Sequence, residues 1–151
     1  MTTIAYKDGI LAGDTSMSED SGRVWTNNCE KVFRLQDGSL FGCSGECEPG
    51  DRLKRAVEAA AAGGDALACE FPHFGDNDEL SAILVKPDGS IWVSEGAIWT
   101  RWPDKIAATG SGSDCAMTAL RLGHSAWEAV QAGIDGDCFS GGRITSVQLD
   151  D

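Results

Sequence analysis

Histidine, basic charge and long apolar runs are what this sequence has least of, and each shortage closes a class of function. The 151 residues carry 12 Lys and Arg against 24 Asp and Glu, a formal net charge of -12. A nucleic-acid surface needs a basic stripe to displace phosphate counterions, so no nucleic-acid partner is expected. The same imbalance argues against adhesion to an anionic membrane, and acidity of this kind mainly serves solubility. No apolar run approaches the roughly 18–20 residues of a membrane-spanning helix. The opening Met-Thr-Thr-Ile-Ala-Tyr-Lys-Asp-Gly has no basic stretch leading into an apolar one, so no secretion signal is read there and a cytoplasmic protein is expected. Only His73 and His124 supply imidazole, and the six cysteines (Cys29, Cys43, Cys47, Cys69, Cys115, Cys138) form no CxxC pair. Neither a metal site nor a cofactor is therefore expected, and the cysteines are expected as free thiols.

What is present has the composition of one globular domain over residues 1–151, with 42% apolar and 24% charged residues. Turn signals pick out three hairpins. Thr3 to Tyr6 and Ile10 to Ala12 flank Lys7-Asp8-Gly9; Lys31 to Leu35 and Ser39 to Gly42 flank Gln36-Asp37-Gly38; Leu80 to Val85 and Ser90 to Val93 flank Pro87-Asp88-Gly89. Asp14 to Arg23 is small and polar and reads as a loop. From Pro49 to about Ala62 the period is helical, with Leu53, Ala56, Val57 and Ala60 on one face, and Gly63-Gly64 ends it. Pro72 and Gly75 limit any helix in 65–79 to a turn or two. Lys105 to Thr109 reads as a strand, Asp114 to Leu122 as a helix. Ser125 and Glu128 form a capping box that opens another helix to about Ile134, and Arg143 to Leu149 closes the chain as a strand. Hairpins at both ends with helices between them predict an α+β fold of two antiparallel sheets with helices packed outside.

Several residues could carry chemistry. A threonine hydroxyl is a poor nucleophile unless a base adjoins it, and an N-terminal threonine supplies its own, because an α-amine titrates near ~7.7. Thr2 becomes such a residue if Met1 is removed. Lys31 lies on a strand among Cys29, Val32, Phe33 and Leu35; turned into a cleft its charge would act on neighbouring groups, turned outward it is an ordinary strand lysine. Three clusters, Ser44-Gly45-Glu46, Gly110-Ser111-Gly112-Ser113 and Ser140-Gly141-Gly142, sit at strand ends or strand–helix junctions. Backbone N–H groups there could stabilise an oxyanion or cradle phosphate, but the Lys-Ser or Lys-Thr of a P-loop does not follow any of them. Each cluster alone is no more than a turn.

Taken together and in order, these segments resemble the proteasome β-subunit family and, within it, the HslV-like peptidases. The resemblance runs from Thr2-Thr3-Ile4 through Leu11-Ala12-Gly13-Asp14-Thr15, Glu30-Lys31-Val32-Phe33-Arg34-Leu35 and Gly42-Cys43-Ser44-Gly45. It resumes at Ile106-Ala107-Ala108-Thr109-Gly110-Ser111-Gly112 and ends at Asp137-Cys138-Phe139-Ser140-Gly141-Gly142. It implies a four-layer αββα sandwich, the N-terminal-nucleophile hydrolase fold. By the same resemblance Thr2 is the nucleophile of a threonine peptidase, Asp14 orients Lys31 beside it, and the Gly45 N–H is the oxyanion donor. Ser111, Asp137 and Ser140 would hold the terminal amine and hydroxyl. Cys29, Phe33, Cys43 and Cys47 would line a mid-sized apolar pocket for the residue before the cut, although the cysteines read equally well as core packing.

The implied partners are a peptide or unfolded-protein substrate and further copies of the chain in a homo-oligomeric ring, and an ATP-dependent unfoldase is left open. A single residue ahead of Thr2 matches HslV-like members that have no propeptide. The chain departs from the family where a second full helix would follow the first, in residues 65–79, and after the final strand, and these regions make ring contacts in relatives. Two alternatives accompany the peptidase: a catalytically silent scaffold subunit, and an amide hydrolase acting on a small metabolite. A scaffold has no packing need for Thr2, Asp14, Lys31, Ser111, Asp137 and Ser140 together.

Overall fold

The computed structural model of the protein describes residues 2–150. Strands β1 (Ile4–Lys7) and β2 (Ile10–Asp14) form the first hairpin. After β2 come the short β3 (Met17–Ser18) and β4 (Val24–Thr26), then β5 (Val32–Arg34) and β6 (Leu40–Gly45). Helix α1 (Cys47–Ala62) follows, then a 3-10 turn at Ala66–Ala68. Strands β7 (Leu80–Val85), β8 (Ile91–Ser94), β9 (Thr100–Trp102) and β10 (Ala107–Thr109) lead to helices α2 (Ser113–Arg121) and α3 (Ala126–Gly136) and the last strand, β11 (Ile144–Gln148).

Two antiparallel sheets result, one in the order β10-β1-β2-β11 and one in the order β5-β6-β7-β8-β9. The period-2 alternation of each strand sorts its side chains between layers. Ile4, Tyr6 and Leu11 of the first sheet meet Leu40, Ile83, Val85 and Ile91 of the second in a core between the sheets. The alternate residues face outward. Ala5 and Ala12 pack under α2 and α3, while Phe41, Ala82 and Leu84 pack under Leu53 and Val57 of α1. Three apolar interfaces therefore separate four layers, the αββα sandwich expected from the sequence. Each fully buried Leu or Ile contributes about 1.5–3 kcal/mol by leaving water.

Two segments differ from expectation. Residues 14–23 are not simply a loop: β3 pairs with β4 as a small ribbon, closed by the Glu19–Arg23 turn (Gly22 N to Glu19 O, 2.9 Å). Strands this short have too few positions to display a period. β9, which pairs with β8 through Ile91 and Trp102, is a further strand that the sequence reading does not place, in the largely apolar run Ala97 to Trp102. Residues 65–79 hold only the 3-10 turn, as Pro72 requires. Asp37 accepts from Ala66 N at 2.8 Å, the Arg52 guanidinium donates to the His73 carbonyl at 2.7 Å, and Phe71 stacks at 5.4 Å against Trp99, so this irregular segment still covers the outer face of the second sheet.

Candidate active site

β1 delivers Thr2 to the sheet edge beside the β10–α2 junction. Thr2 is 4% exposed, and its carbonyl accepts from Gly112 N at 3.1 Å. Gly110 has φ +97°, and a Cβ there would overlap the Thr2 carbonyl, so only glycine lets the junction close over the strand. Thr3 is fully buried, donates its N–H to Asp14 Oδ1 at 3.0 Å and shares a 2.7 Å hydrogen bond with the Ser140 hydroxyl.

Asp14 ends β2, next to β1 in the first sheet, whereas Lys31 immediately precedes β5 in the second. Their side chains meet across the two sheets. Lys31 Nζ lies 2.9 Å from Asp14 Oδ1 and 3.1 Å from Thr2 Oγ1. Asp14 is fully buried and well satisfied: Oδ1 accepts from Lys31 and Thr3, and Oδ2 from Gly141 N (3.1 Å) and Ser16 N (3.4 Å). A buried carboxylate is tolerated only with such partners. The fork thus fixes the ammonium against the threonine hydroxyl.

On the other side, Thr2 N donates to Ser111 Oγ at 3.2 Å, and Ser111 Oγ in turn donates to Asp137 Oδ2 at 2.5 Å. Ser140 Oγ also donates to Asp137 Oδ2, at 2.7 Å. Burial pushes the Asp137 carboxyl up, but the hydroxyls of Ser111 and Ser140 and the Phe139 N–H outweigh it and leave the group below the usual carboxylate range. Ser140, expected to help hold the terminal amine and hydroxyl, joins Asp137 to the Thr3 hydroxyl, one residue further along β1. Asp137 likewise reaches the Thr2 nitrogen through Ser111.

Two cavities open on Thr2, with Ser44 and Gly45 bordering both. The first, about 310 Å³, is lined by Cys29, Phe33, Cys43 and Cys47 together with Met17 and Lys31. All four residues expected at an apolar pocket are therefore in its wall. Burial, reinforced by the neighbouring Cys29, pushes the Cys43 thiol up to about 12; burial likewise raises Cys29 against the opposing charge of Lys31. These are neutral, polarisable wall groups rather than thiolate nucleophiles. The Lys54 ammonium sits 4.1 Å from the Phe33 ring centroid at the pocket's edge. The second cavity, about 600 Å³, lies on the Ser111 side.

Gly45 adopts φ +116°, and a Cβ there would strike the Glu79 carbonyl. Thr3 is the residue that sequence reasoning missed. Its role rests on a contact 137 residues away in the chain, with Ser140, and no local pattern signals that. Met1, whose removal the threonine chemistry requires, lies outside the described residues. Among those residues no group of three or more His, Cys, Asp or Glu could hold a metal ion, and no helix is long and apolar enough to cross a membrane.

No family model matches the sequence, and no curated protein matches it either. Solved structures do match, over nearly the whole length. Eukaryotic HslV from Trypanosoma brucei superposes with a TM-score of 0.77 at 18% identity, covering 99% of each chain. BPH from Thiobacillus denitrificans superposes with a TM-score of 0.64 at 21% identity over 99% of this chain and 98% of that one. The same protein in complex with epoxomicin gives 0.63 at 22% identity, with 99% of both chains covered. The chain has the HslV-type N-terminal-nucleophile hydrolase fold, in agreement with the resemblance read from its sequence.

Proposed function

We propose that this protein is a threonine peptidase, with Thr2 as nucleophile once loss of Met1 frees its α-amine. The observation that carries the proposal is the junction at Thr2 Oγ1, where a buried ammonium lies 3.1 Å away and is itself 2.9 Å from a buried carboxylate. As Oγ1 bonds to the carbonyl carbon of the scissile amide, its proton passes to the α-amine, and the carbonyl π electrons move onto oxygen. The Gly45 N–H is the donor to that oxyanion, and Lys31 offsets charge developing on Oγ1. Collapse re-forms the carbonyl and breaks the C–N bond, and the ammonium returns its proton to the leaving nitrogen. Water then attacks the Thr2 ester with the same amine as base, releasing the acid and restoring the hydroxyl. Ser111 and Asp137 orient the amine, and Ser140 steadies Thr3 beneath it.

The pocket of cysteines and Phe33 suits a mid-sized apolar residue before the cut. The remaining parts of the proposal are a single domain, a cytoplasmic location, and assembly into a homo-oligomeric ring that encloses peptide or unfolded-protein substrates. Exposed apolar side chains at Trp25, Leu122 and Trp127 support self-association. An ATP-dependent unfoldase would fit such a ring as the source of unfolded substrate. The test compares three forms on one fluorogenic peptide series: Thr2-initiated protein, the same chain with an uncleavable N-terminal extension, and Thr2→Ala. Only the first should turn over, while all three fold. Equal turnover by the extended form would exclude Thr2 as nucleophile.

A further inference from the structure

The second cavity differs from the first in having no cation: the first sets Lys31 and Lys54 among Glu30, Glu46 and Asp51. The wall of the second, from Ser44 and Gly45 round to Gly110 and Ser111, includes Asp78, Glu79 and Glu95 and no Lys, Arg or His. Asp78 is committed, accepting from Gly75 N at 2.8 Å and pairing with Arg52 at 3.4 Å. Glu79 and Glu95 are exposed, and neither side chain pairs with a cation among the described residues.

Which part of a substrate enters this cavity follows from proton transfer. The α-amine must protonate the leaving nitrogen, so the leaving side lies where that amine lies. Thr2 N is held at 3.2 Å by Ser111 Oγ, and Ser111 lines the second cavity but not the first. Resting on the threonine peptidase reading, we infer that the second cavity receives the residues after the scissile bond and that Glu79 and Glu95 select a basic residue, Lys or Arg, in the first of those positions. Two exposed carboxylates attract a cationic side chain and repel an acidic one, and water-screened pairs of this kind are individually modest. The substrate class becomes a peptide with an apolar residue before the cut and a basic one after it.

The experiment uses the Thr2-initiated protein and quenched fluorescent peptides identical except for Arg, Gln or Glu directly after the cut. At low salt kcat/KM should fall in that order, with Arg above Glu by about tenfold. Glu79→Gln with Glu95→Gln should bring the ratio close to one. Asp104→Asn with Asp135→Asn changes the net charge equally, away from both cavities, and should keep the ratio. Cleavage indifferent to that residue, in protein whose Thr2 reacts with an epoxyketone, would overturn the inference and leave the peptidase standing. A ratio that the control pair abolishes equally would assign the preference to overall charge and overturn it too. Absence of both cleavage and labelling would remove the peptidase reading and this inference with it.

Discussion

The two helical layers of the sandwich are built from different sizes of side chain. Under α2 and α3 the first sheet offers Ala5 and Ala12, met by Ala116, Ala119, Ala126 and Ala129. Under α1 the second sheet offers Phe41 and Leu84, met by Leu53 and Val57 and ringed by Phe33, Phe71, Phe74 and Trp92. Helix-to-sheet spacing follows side-chain bulk, and on the first side, where Leu120 and Val130 complete the interface, Gly112 and Gly133 come so near Thr3 that a Cβ on either would overlap its side chain. The polar network of Thr2, Thr3, Ser111, Asp137 and Ser140 is set into that tight side. The apolar pocket opens on the bulky side, where Cys43 sits against α1 and Cys47 begins it. Positioning and selectivity are thus assigned to different layers, and Lys31 with Asp14 is the bond between them.

Cutting that bond should have the largest effect. Lys31→Met keeps an apolar stem but removes the ammonium from Thr2 and Asp14, and turnover per folded molecule should fall by roughly 10²-fold or more. It also strands a buried carboxylate, at a cost of about 3–5 kcal/mol in denaturant unfolding. Adding Asp14→Asn should recover neither stability nor turnover, because its amide nitrogen would face backbone N–H groups of Thr3 or of Ser16 and Gly141 that need an acceptor. If turnover per folded molecule is unchanged in Lys31→Met, the lysine serves the fold alone.

Next comes the tightness of the α2–α3 side. The Thr3 side chain lies against Gly112 and Gly133, and a Cβ on Gly133 would overlap it. Gly133→Ala should cost about 1–3 kcal/mol and displace β1, so activity at a temperature where the variant is fully folded should fall as well. Loss of stability with full activity would separate Thr3 from the site.

The smallest effect concerns Asp137. Its folded carboxyl titrates below the unfolded value, so it adds stability above the unfolded value of ~3.9 that disappears as pH falls through the folded one. Asp137→Asn should therefore be less stable than the parent at neutral pH, and the gap should close in strong acid. A gap independent of pH would mean that the Ser111 and Ser140 hydrogen bonds do not distinguish carboxylate from amide.

The hairpins, the start of α3 at Ser125 and the missing second helix were legible in the sequence, because turn residues, the Ser125–Glu128 capping box and Pro72 act locally, whereas α1 begins at Cys47, two residues before Pro49, with no side-chain cap to mark it. Thr2, Asp14, Lys31 and Ser111 were legible only through the ordered resemblance to the proteasome β-subunit family, since no local pattern singles any of them out. The Ser140–Thr3 link, the small-residue character of one layer and the acidic second cavity were not. Glu79 and Glu95 belong to different strand ends, and they share a wall only after β7 and β8 pair through Ala82 and Ser94.

The central claim is that Thr2 acts through its own amine. Intact-mass spectrometry of the Thr2-initiated protein with an epoxyketone tests this most directly, because such a probe consumes both the hydroxyl and the amine of a terminal threonine. One adduct per chain is predicted on the Thr2-bearing fragment, absent from Thr2→Ala and from the N-terminally extended form. Labelling that persists in Thr2→Ala, or that maps to Cys29, Cys43 or Cys47, would contradict it.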